Sequence, residues 1–222
     1  MKKTILITSG IIFVVVALVV AIAFAFGGNK EDLPENDPIS LEGTWVVAAN
    51  CANGTTTFVQ NQTMTFTKDQ AAMYKDNGEA PYASSTYSIN ESKQLLLPDI
   101  SREYKIDLKS NNIVCLYDTT TSYMILVKNG NAVTTDALKG KWNVNIKGDQ
   151  INNGDALEFT DAALNYYKAN SATPAATSSF EFSNEGVLIA KELGLDLRCY
   201  LVNESTLILI EQSGVIWELS KS

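Results

Sequence analysis

The strongest constraint on this chain is an internal repeat. Leu-Glu-Gly-Thr-Trp at 41–45 returns as Leu-Lys-Gly-Lys-Trp at 138–142, which is 97 positions later (142 − 45). Phe-Thr at 66–67 returns at 159–160, and this offset of 93 (159 − 66) then holds to the end of the chain. A register this constant predicts a tandem duplication of domains of about 90 residues each.

Each copy alternates apolar and polar residues with a period of two, as in Trp-Asn-Val-Asn-Ile at 142–146. This period predicts strands with one buried face. The alanine-rich segment 161–168 would also suit one helical turn. Short strands joined by short turns predict an all-β fold with a small up-and-down, eight-stranded barrel in each copy. In the second copy the strands are expected to begin near Trp142, Ala156, Leu164, Ser178, Gly186, Leu195, Thr206 and Gly214.

Composition excludes several classes of function. Seventeen Lys and Arg residues against 25 Asp and Glu residues give a net charge of −8, so nucleic acid is not an expected partner. The chain has no histidine, which excludes a Ser-His-Asp triad and every His-containing zinc site. The carboxylates fall on outward strand positions and turns rather than in pairs. The sequence therefore predicts a protein that is not an enzyme and has no cofactor or metal.

The N-terminal segment predicts where in the cell the protein is located. Lys2 and Lys3 precede an apolar run from Ile5 to Phe26, and about 20 apolar residues are needed to cross a bilayer. The two lysines favour a single-pass anchor in the cell membrane with the N-terminus inside. Ala-Phe-Ala at 23–25 leaves open a cleaved signal segment, which would make the rest of the chain periplasmic or secreted. Both interpretations place everything after Gly28 outside the cytoplasm.

The repeated motif resembles that of a known family. Gly43-x-Trp45 and Gly140-x-Trp142, each at the start of a predicted strand meander, are similar to the lipocalin and calycin signature. The pattern is closer still to the small lipocalin-like domains of bacterial exported proteins. This resemblance implies a non-catalytic binding protein outside the cytoplasm. It covers residues 40–128 and 137–221.

Two lysines complete the structural signature. In calycins a basic residue, usually arginine, lies near the end of the last strand and packs on the signature tryptophan, and Lys128 and Lys221 stand at that place here. Strand parity gives the same placement, because the last strand of a closed antiparallel barrel pairs with the first. Lys128 is therefore expected to cover Trp45, and Lys221 to cover Trp142. The alternative is that both lysines are ordinary solvated strand ends.

The predicted organisation has four segments. They are a transmembrane anchor or signal segment at 1–28, an acidic flexible linker at 29–39, a first lipocalin-like barrel at 40–130 and a second at 131–222. The glycines, prolines and charges of the linker leave it little to bury. Cys51 and Cys115 are the only cysteines that share a barrel, so they are the candidate disulfide outside the cytoplasm.

The residues on the tryptophan side of each strand, Ala49 among them, are expected to face the barrel interior. An eight-stranded barrel is just wide enough for its own side chains or for one small ligand. Large inward aromatic residues favour a packed core in the lower half of each barrel, with room for a small pocket near the rim. The candidate ligand-binding residues, in the interior or at the rim, are Tyr74, Tyr87, Tyr104, Tyr167, Phe180 and Trp217.

Two functions remain open at this point. In the first, the chain is a membrane-anchored or exported protein of the cell envelope whose barrels bind a small hydrophobic ligand. In the second, the barrels are fully packed and serve as a spacer or as an interaction module for an envelope protein or a glycan. A rim pocket lined by aromatic residues would support the first, and closed cores would support the second.

Overall fold

The computed structural model describes residues 39–146 and 154–222. The predicted anchor or signal segment, and the linker apart from its last residue, lie outside these ranges. Within the described part of the chain, none of the helices has the length and apolar composition needed to cross a membrane.

The first half of the chain forms one antiparallel sheet. Along the sheet the strands follow the order β5-β4-β3-β1-β10-β9-β8-β7-β6, and β2 pairs with β1 off this path. Strands β5 and β6 are separated only by Tyr87, so the two ends of the sheet are consecutive in the chain and the sheet is a nearly closed barrel. The strands are β1 (Gly43–Ala52), β2 (Thr55–Phe58), β3 (Gln62–Phe66), β4 (Gln70–Lys75), β5 (Ala83–Thr86), β6 (Ser88–Ile89), β7 (Gln94–Leu97), β8 (Arg102–Ser110), β9 (Ile113–Thr119) and β10 (Ser122–Lys128).

The second half repeats this arrangement after a short helix, α1 (Thr135–Leu138). The order is β15-β14-β13-β12-β20-β19-β18-β17-β16, and Phe180 separates β15 from β16 as Tyr87 separates β5 from β6. The strands are β11 (Asn131–Ala132), β12 (Gly140–Ile146), β13 (Ala156–Phe159), β14 (Ala163–Tyr167), β15 (Ala176–Ser179), β16 (Glu181–Phe182), β17 (Val187–Ala190), β18 (Leu195–Asn203), β19 (Thr206–Glu211) and β20 (Ile216–Lys221). Strand β11 adds to β18.

The predicted fold class is confirmed. When β5 and β6, and β15 and β16, are each counted as one interrupted strand, each barrel is an eight-stranded up-and-down meander that begins beside its own last strand. Residues 163–167 form a strand and not the alternative helical turn. Two single 3-10 turns, Pro98–Ile100 and Lys191–Leu193, occupy equivalent places in the two copies.

The inward placement of Ala49 is wrong. The pairing of β1 with β10 shifts register between Val47 and Ala49, as at a β-bulge. A bulge inserts one residue and so reverses which face the later side chains occupy. Ala49 and Cys51 therefore lie on the outer face of the first barrel, where both are buried.

The two barrels pack on each other through these outer faces. The apolar contact, called the inter-barrel interface below, joins strands β1, β9 and β10 to strands β18 and β19. Its buried members are Ala48, Ala49, Cys51, Ile113, Cys115, Ile125, Val127, Tyr200, Ile208 and Ile210. At its edge Glu218 of the second barrel accepts a hydrogen bond from the Ser110 hydroxyl and another, of 3.1 Å, from Asn112 Nδ2. The barrels are therefore in direct contact across a dry surface and are not separate beads.

The cysteines are all free and buried. Cys51 lies on β1 and Cys115 on β9, and β10 runs between these two strands. Strands two places apart are separated by about 10 Å, which exceeds the roughly 7 Å that a disulfide can span between Cα atoms. The candidate Cys51–Cys115 bridge is therefore absent for a geometric reason.

Candidate functional site

The repeated Leu-x-Gly-x-Trp motif closes one end of each barrel. The indole Nε1 of Trp45 donates a hydrogen bond of 2.7 Å to the carbonyl of Leu41, and Trp142 does the same to Leu138 at 2.7 Å. All four side chains are buried. The motif spacing of four residues thus satisfies the only polar atom of a tryptophan placed in an apolar core.

The glycine of the motif permits the approach of the lysine. Gly43 has φ of +121°, which L side chains rarely adopt, and a Cβ on it would lie 3.2 Å from Cε of Lys128. Gly140 has φ of +112° and lies in the same way under Lys221. A side chain at either glycine would therefore oppose both the backbone turn and the lysine stem.

Each lysine lies over its tryptophan, as strand parity predicts. The Nζ atom of Lys128 is 5.5 Å from the centroid of the Trp45 ring, and that of Lys221 is 5.1 Å from the Trp142 ring. The paired residues are direct neighbours between the first and last strand of each barrel. The motif residues thus close this end of each barrel, and the opposite end is the place where a ligand could bind.

Replacing Lys221 by methionine tests this closure. We expect the free energy of unfolding to fall by about 0.5–1 kcal/mol, the contribution of an exposed cation–π contact. Denaturant unfolding at fixed pH and salt measures the change, and Lys168→Met, at an exposed lysine, controls for the loss of one charge. Equal stability of K221M and the unmodified protein would show that the lysines are solvated strand ends.

A second feature shared by the two barrels is a carboxylate, called the clamp below, that joins each 3-10 turn to strand β5 or β15. The Glu192 carboxylate of the 3-10 turn accepts hydrogen bonds from the Ser178 hydroxyl at 2.6 Å and from the Ser179 amide at 3.0 Å. Asp99 makes the same contacts with Ser85 and Thr86 in the first barrel. These hydrogen bonds, of which that from Ser178 contributes most, lower the pKa of Glu192 to about 2. The clamp is structural, because it fastens the turn to β15.

The clamp predicts a pH dependence of stability. The folded pKa of Glu192 lies below its unfolded value of about 4.3, so its stabilisation is complete above that pH and is lost as the pH falls toward 2. We expect the unfolding midpoint of Glu192→Gln to be lower at pH 7 and to decline less between pH 5 and 3 than that of the unmodified protein. Glu204→Gln, at an exposed turn, is the matched control. Parallel curves for E192Q and the unmodified protein would contradict the prediction.

The structure places the six candidate ligand residues in three kinds of location, which are the barrel interior, the outer face and a cavity. Tyr87 and Phe180 fill the interior, where their rings meet Phe66 and Phe159 edge to face at 5.2 and 5.8 Å. Trp217 is only 5% exposed in the second core.

Two other candidates do not face the interior. Tyr74 alternates with the core residue Met73 and so lies on the outer face of β4. Tyr167 is outward too, since its hydroxyl donates to Glu158 at 2.6 Å and Lys141 lies over its ring. Of the six candidates, Tyr104 lines a cavity.

That cavity lies at the open end of the first barrel, opposite Trp45, and has a volume of about 220 Å³. Its walls come from the end of β1, the start of β8, the end of β9 and the start of β10. This set of strands explains its place, because β1 starts at the closed end and finishes here. The lining residues are Asn50, Cys51, Ala52, Arg102, Tyr104, Leu116, Asp118, Ser122, Tyr123 and Met124.

The cavity combines apolar walls with polar groups that have no partner in the described protein. Tyr104 is 8% exposed, and its hydroxyl makes no hydrogen bond with residues 39–146 or 154–222. Burial is the main cause that raises the pKa of Tyr104, so the hydroxyl stays protonated and can donate. Leu116 and Met124 supply the apolar surface.

The same positions of the second barrel are filled differently. At the offset of 93 residues, three of the lining positions carry leucine or valine in the second barrel, and all three side chains pack on its core. Trp217 occupies the position of Met124. The duplication thus offers an internal comparison, in which the end of one barrel is filled mainly by apolar side chains and the end of the other is open and more polar. The residues of the first barrel and their counterparts are Arg102 and Leu195, Tyr104 and Leu197, Asp118 and Glu211, Ser122 and Val215, and Met124 and Trp217.

A larger groove of about 380 Å³ lies between the β1–β2 hairpin and the second barrel. Its lining is polar, and Asp196 and Glu211 are its only ionisable side chains. Burial raises the pKa of Glu211. In the part of the chain that the structure describes, no three His, Cys, Asp or Glu side chains are grouped to hold a metal. The groove also lacks an aromatic wall, so we place the candidate site in the smaller cavity.

Comparison with known proteins adds no relative. No protein-family model matches the chain, and searches of curated proteins and of solved structures find no match either. The resemblance to lipocalin-like domains therefore stays a prediction from the motif. A function for this chain is therefore inferred from its site alone.

Proposed function

We propose that the open end of the first barrel binds a small molecule that has an apolar body and a polar end. The observation that carries this proposal is the difference between the two copies. Arg102, Tyr104 and Ser122 around the cavity are replaced in the second barrel by Leu195, Leu197 and Val215, which pack on its core, whereas Asp118 corresponds to another carboxylate, Glu211. A core needs no tyrosine hydroxyl without a hydrogen-bond partner at one end, because burying such a group costs free energy. Arg102 and Asp118 lie beside it at the exposed rim of the cavity.

The size of the cavity limits the ligand. Pockets for drug-sized molecules usually have about 300–1,000 Å³, whereas an apolar cavity of about 150 Å³ holds benzene. The 220 Å³ here suits one ring or a short branched chain. The proposed ligand is therefore smaller than the hydrophobic molecules for which a wide barrel would be needed.

The role of the protein is proposed to be non-catalytic binding at the cell envelope. The lysines and the apolar run before Gly28 support export, either with a retained membrane anchor or after cleavage. The buried cysteines also argue against nucleophilic chemistry. Burial raises the pKa of Cys115 and of Cys199 to about 12, so both remain thiols at neutral pH.

The test compares the unmodified protein with Met124→Trp. This substitution copies Trp217 of the second barrel, so we expect it to fill the cavity without disturbing the fold. The full chain is produced in an exporting bacterial host, recovered in lipid nanodiscs and analysed by native mass spectrometry. We expect a bound small molecule in the unmodified protein and a strongly reduced amount in M124W.

Two controls make the result decisive. Circular dichroism shows whether M124W is folded, and Tyr104→Leu, which copies Leu197, is the second variant if it is not. A set of single-ring compounds is also screened by ligand-observed NMR. A protein that carries no small molecule and binds none of these compounds at millimolar concentration would overturn the proposal.

A second candidate function has its own supporting observation. The two cores are filled by their own side chains, and the inter-barrel interface joins them into one body. Such a body suits a spacer or a module that presents its outer surface to an envelope protein or a glycan. Empty barrels in the mass spectrometric test, together with a partner captured by crosslinking at the cell surface, would favour this function.

A further inference from the structure

Two opposite charges line the cavity and do not pair with each other. Arg102 begins β8 and Asp118 lies near the end of the neighbouring strand β9. The ion pairs among residues 39–146 and 154–222 involve neither of them. Both share the strand parity of Tyr104 and Leu116 and line the cavity at its solvent-exposed rim.

The two exposed charges at the rim do not form an ion pair. Adjacent strands bring opposite charges close enough to interact, and a surface arginine and aspartate in such positions commonly form a salt bridge. The pairing of β8 with β9 ends at Lys105 and Tyr117, so Asp118 and Tyr104 are the next residues beyond it on the two strands, and Arg102 lies two residues further toward the rim. Arg102 can therefore bind a carboxylate and Asp118 an ammonium group, and both lie at the mouth of an apolar pocket.

We propose that the ligand is a small zwitterion with an apolar side group, of the class of a free aromatic or branched-chain amino acid. This inference rests on the proposed function of the same cavity. Arg102 offers a planar pair of N–H donors to the carboxylate, and the Tyr104 hydroxyl adds a third donor. Asp118 accepts from the ammonium group. The side group enters between Leu116 and Met124.

Four probes separate the contributions of the two charges. L-phenylalanine carries both, 3-phenylpropanoate only the carboxylate, 2-phenylethylamine only the ammonium, and 3-phenylpropanamide neither. Dissociation constants are measured by NMR titration of the full chain in nanodiscs. We expect L-phenylalanine to bind at least about tenfold more tightly than each of the other three, since a hydrogen bond to a charged group contributes that much or more.

Charge variants assign each group. Arg102→Leu, which copies Leu195, is expected to weaken L-phenylalanine and 3-phenylpropanoate by about tenfold or more and to leave 2-phenylethylamine unchanged. Asp118→Asn is expected to weaken L-phenylalanine and 2-phenylethylamine and to spare 3-phenylpropanoate. Lys105→Gln removes a charge from the outer face of β8 and should change none of these constants.

The outcomes distinguish this inference from the proposed function. Similar affinities for all four probes, each abolished by Met124→Trp, would overturn the zwitterion and leave ligand binding in place. Equal losses of every probe in R102L and D118N would also overturn it. If no probe binds and the protein also fails the mass spectrometric test, the proposed function itself is wrong.

Discussion

Replacing Trp142 by alanine is expected to lower the free energy of unfolding by about 3–5 kcal/mol, the usual cost of removing a large buried aromatic side chain. Trp142 is fully buried and fills the closed end of the second barrel. Alanine would leave a cavity there that the stiff, nearly closed sheet cannot collapse to fill. The carbonyl of Leu138 would lose its donor, and Lys221 would lose the ring beneath it.

Two further variants separate these causes. Trp142→Phe keeps a large ring and removes the hydrogen bond to Leu138, so we expect a smaller loss of about 1–3 kcal/mol. Trp45→Ala is the equivalent change in the first barrel, and its loss should fall in the same range as that of W142A. Unfolding in guanidinium chloride is followed by far-UV circular dichroism, because each variant loses one of the three tryptophans and so changes the fluorescence signal. A loss below about 1 kcal/mol for W142A would contradict the structural role of the motif.

Much of the architecture could be predicted because its causes are local and repeated. Period-two alternation fixes the strands, and a constant offset between the copies fixes their register in the chain. The alternation of inward and outward residues then places Lys221 beside Trp142, since in a closed meander the last strand must pair with the first.

The inter-barrel interface could not be predicted from alternation, because alternation assumes one buried face. Strands β9 and β19 instead contain unbroken apolar runs, Ile113-Val114-Cys115-Leu116 and Leu207-Ile208-Leu209-Ile210, whose residues are all buried. Such runs are typical of strands covered on both faces. The bulge after Val47 could not be predicted from the sequence either, since no residue type at that point requires it.

The site was only partly predictable. The sequence favours aromatic residues as ligand contacts, yet most large rings in these barrels fill the interior. Tyr104 is the one predicted contact that lines the cavity, where Tyr123 joins it. The informative signal was polar, in Arg102 and Asp118 at inward positions of their strands. Comparing the copies residue by residue would have found it at Arg102, because leucine occupies the same place in the second copy.

Placing a charge in the inter-barrel interface is expected to have the other large effect. Ile208 is fully buried on the outer face of β19 and contacts the first barrel's apolar side. Its cross-strand neighbour on β20 is Glu218, so Ile208→Asp would put a second carboxylate beside an existing one in a dry contact. We expect a loss of at least about 3 kcal/mol, since a buried charge without a partner costs this much or more.

The form of the unfolding curve carries more information than its midpoint. Because the barrels share the inter-barrel interface, the unmodified protein is expected to unfold in one cooperative transition and I208D in two, observed by scanning calorimetry. Ile208→Val keeps the interface apolar and should cost about 0.5–1.5 kcal/mol with one transition retained. Two transitions in the unmodified protein, or the same curve for I208D and I208V, would contradict the coupling. A single transition means that ligand binding in the first barrel also stabilises the second, since a ligand that binds only the folded state stabilises everything that unfolds with it.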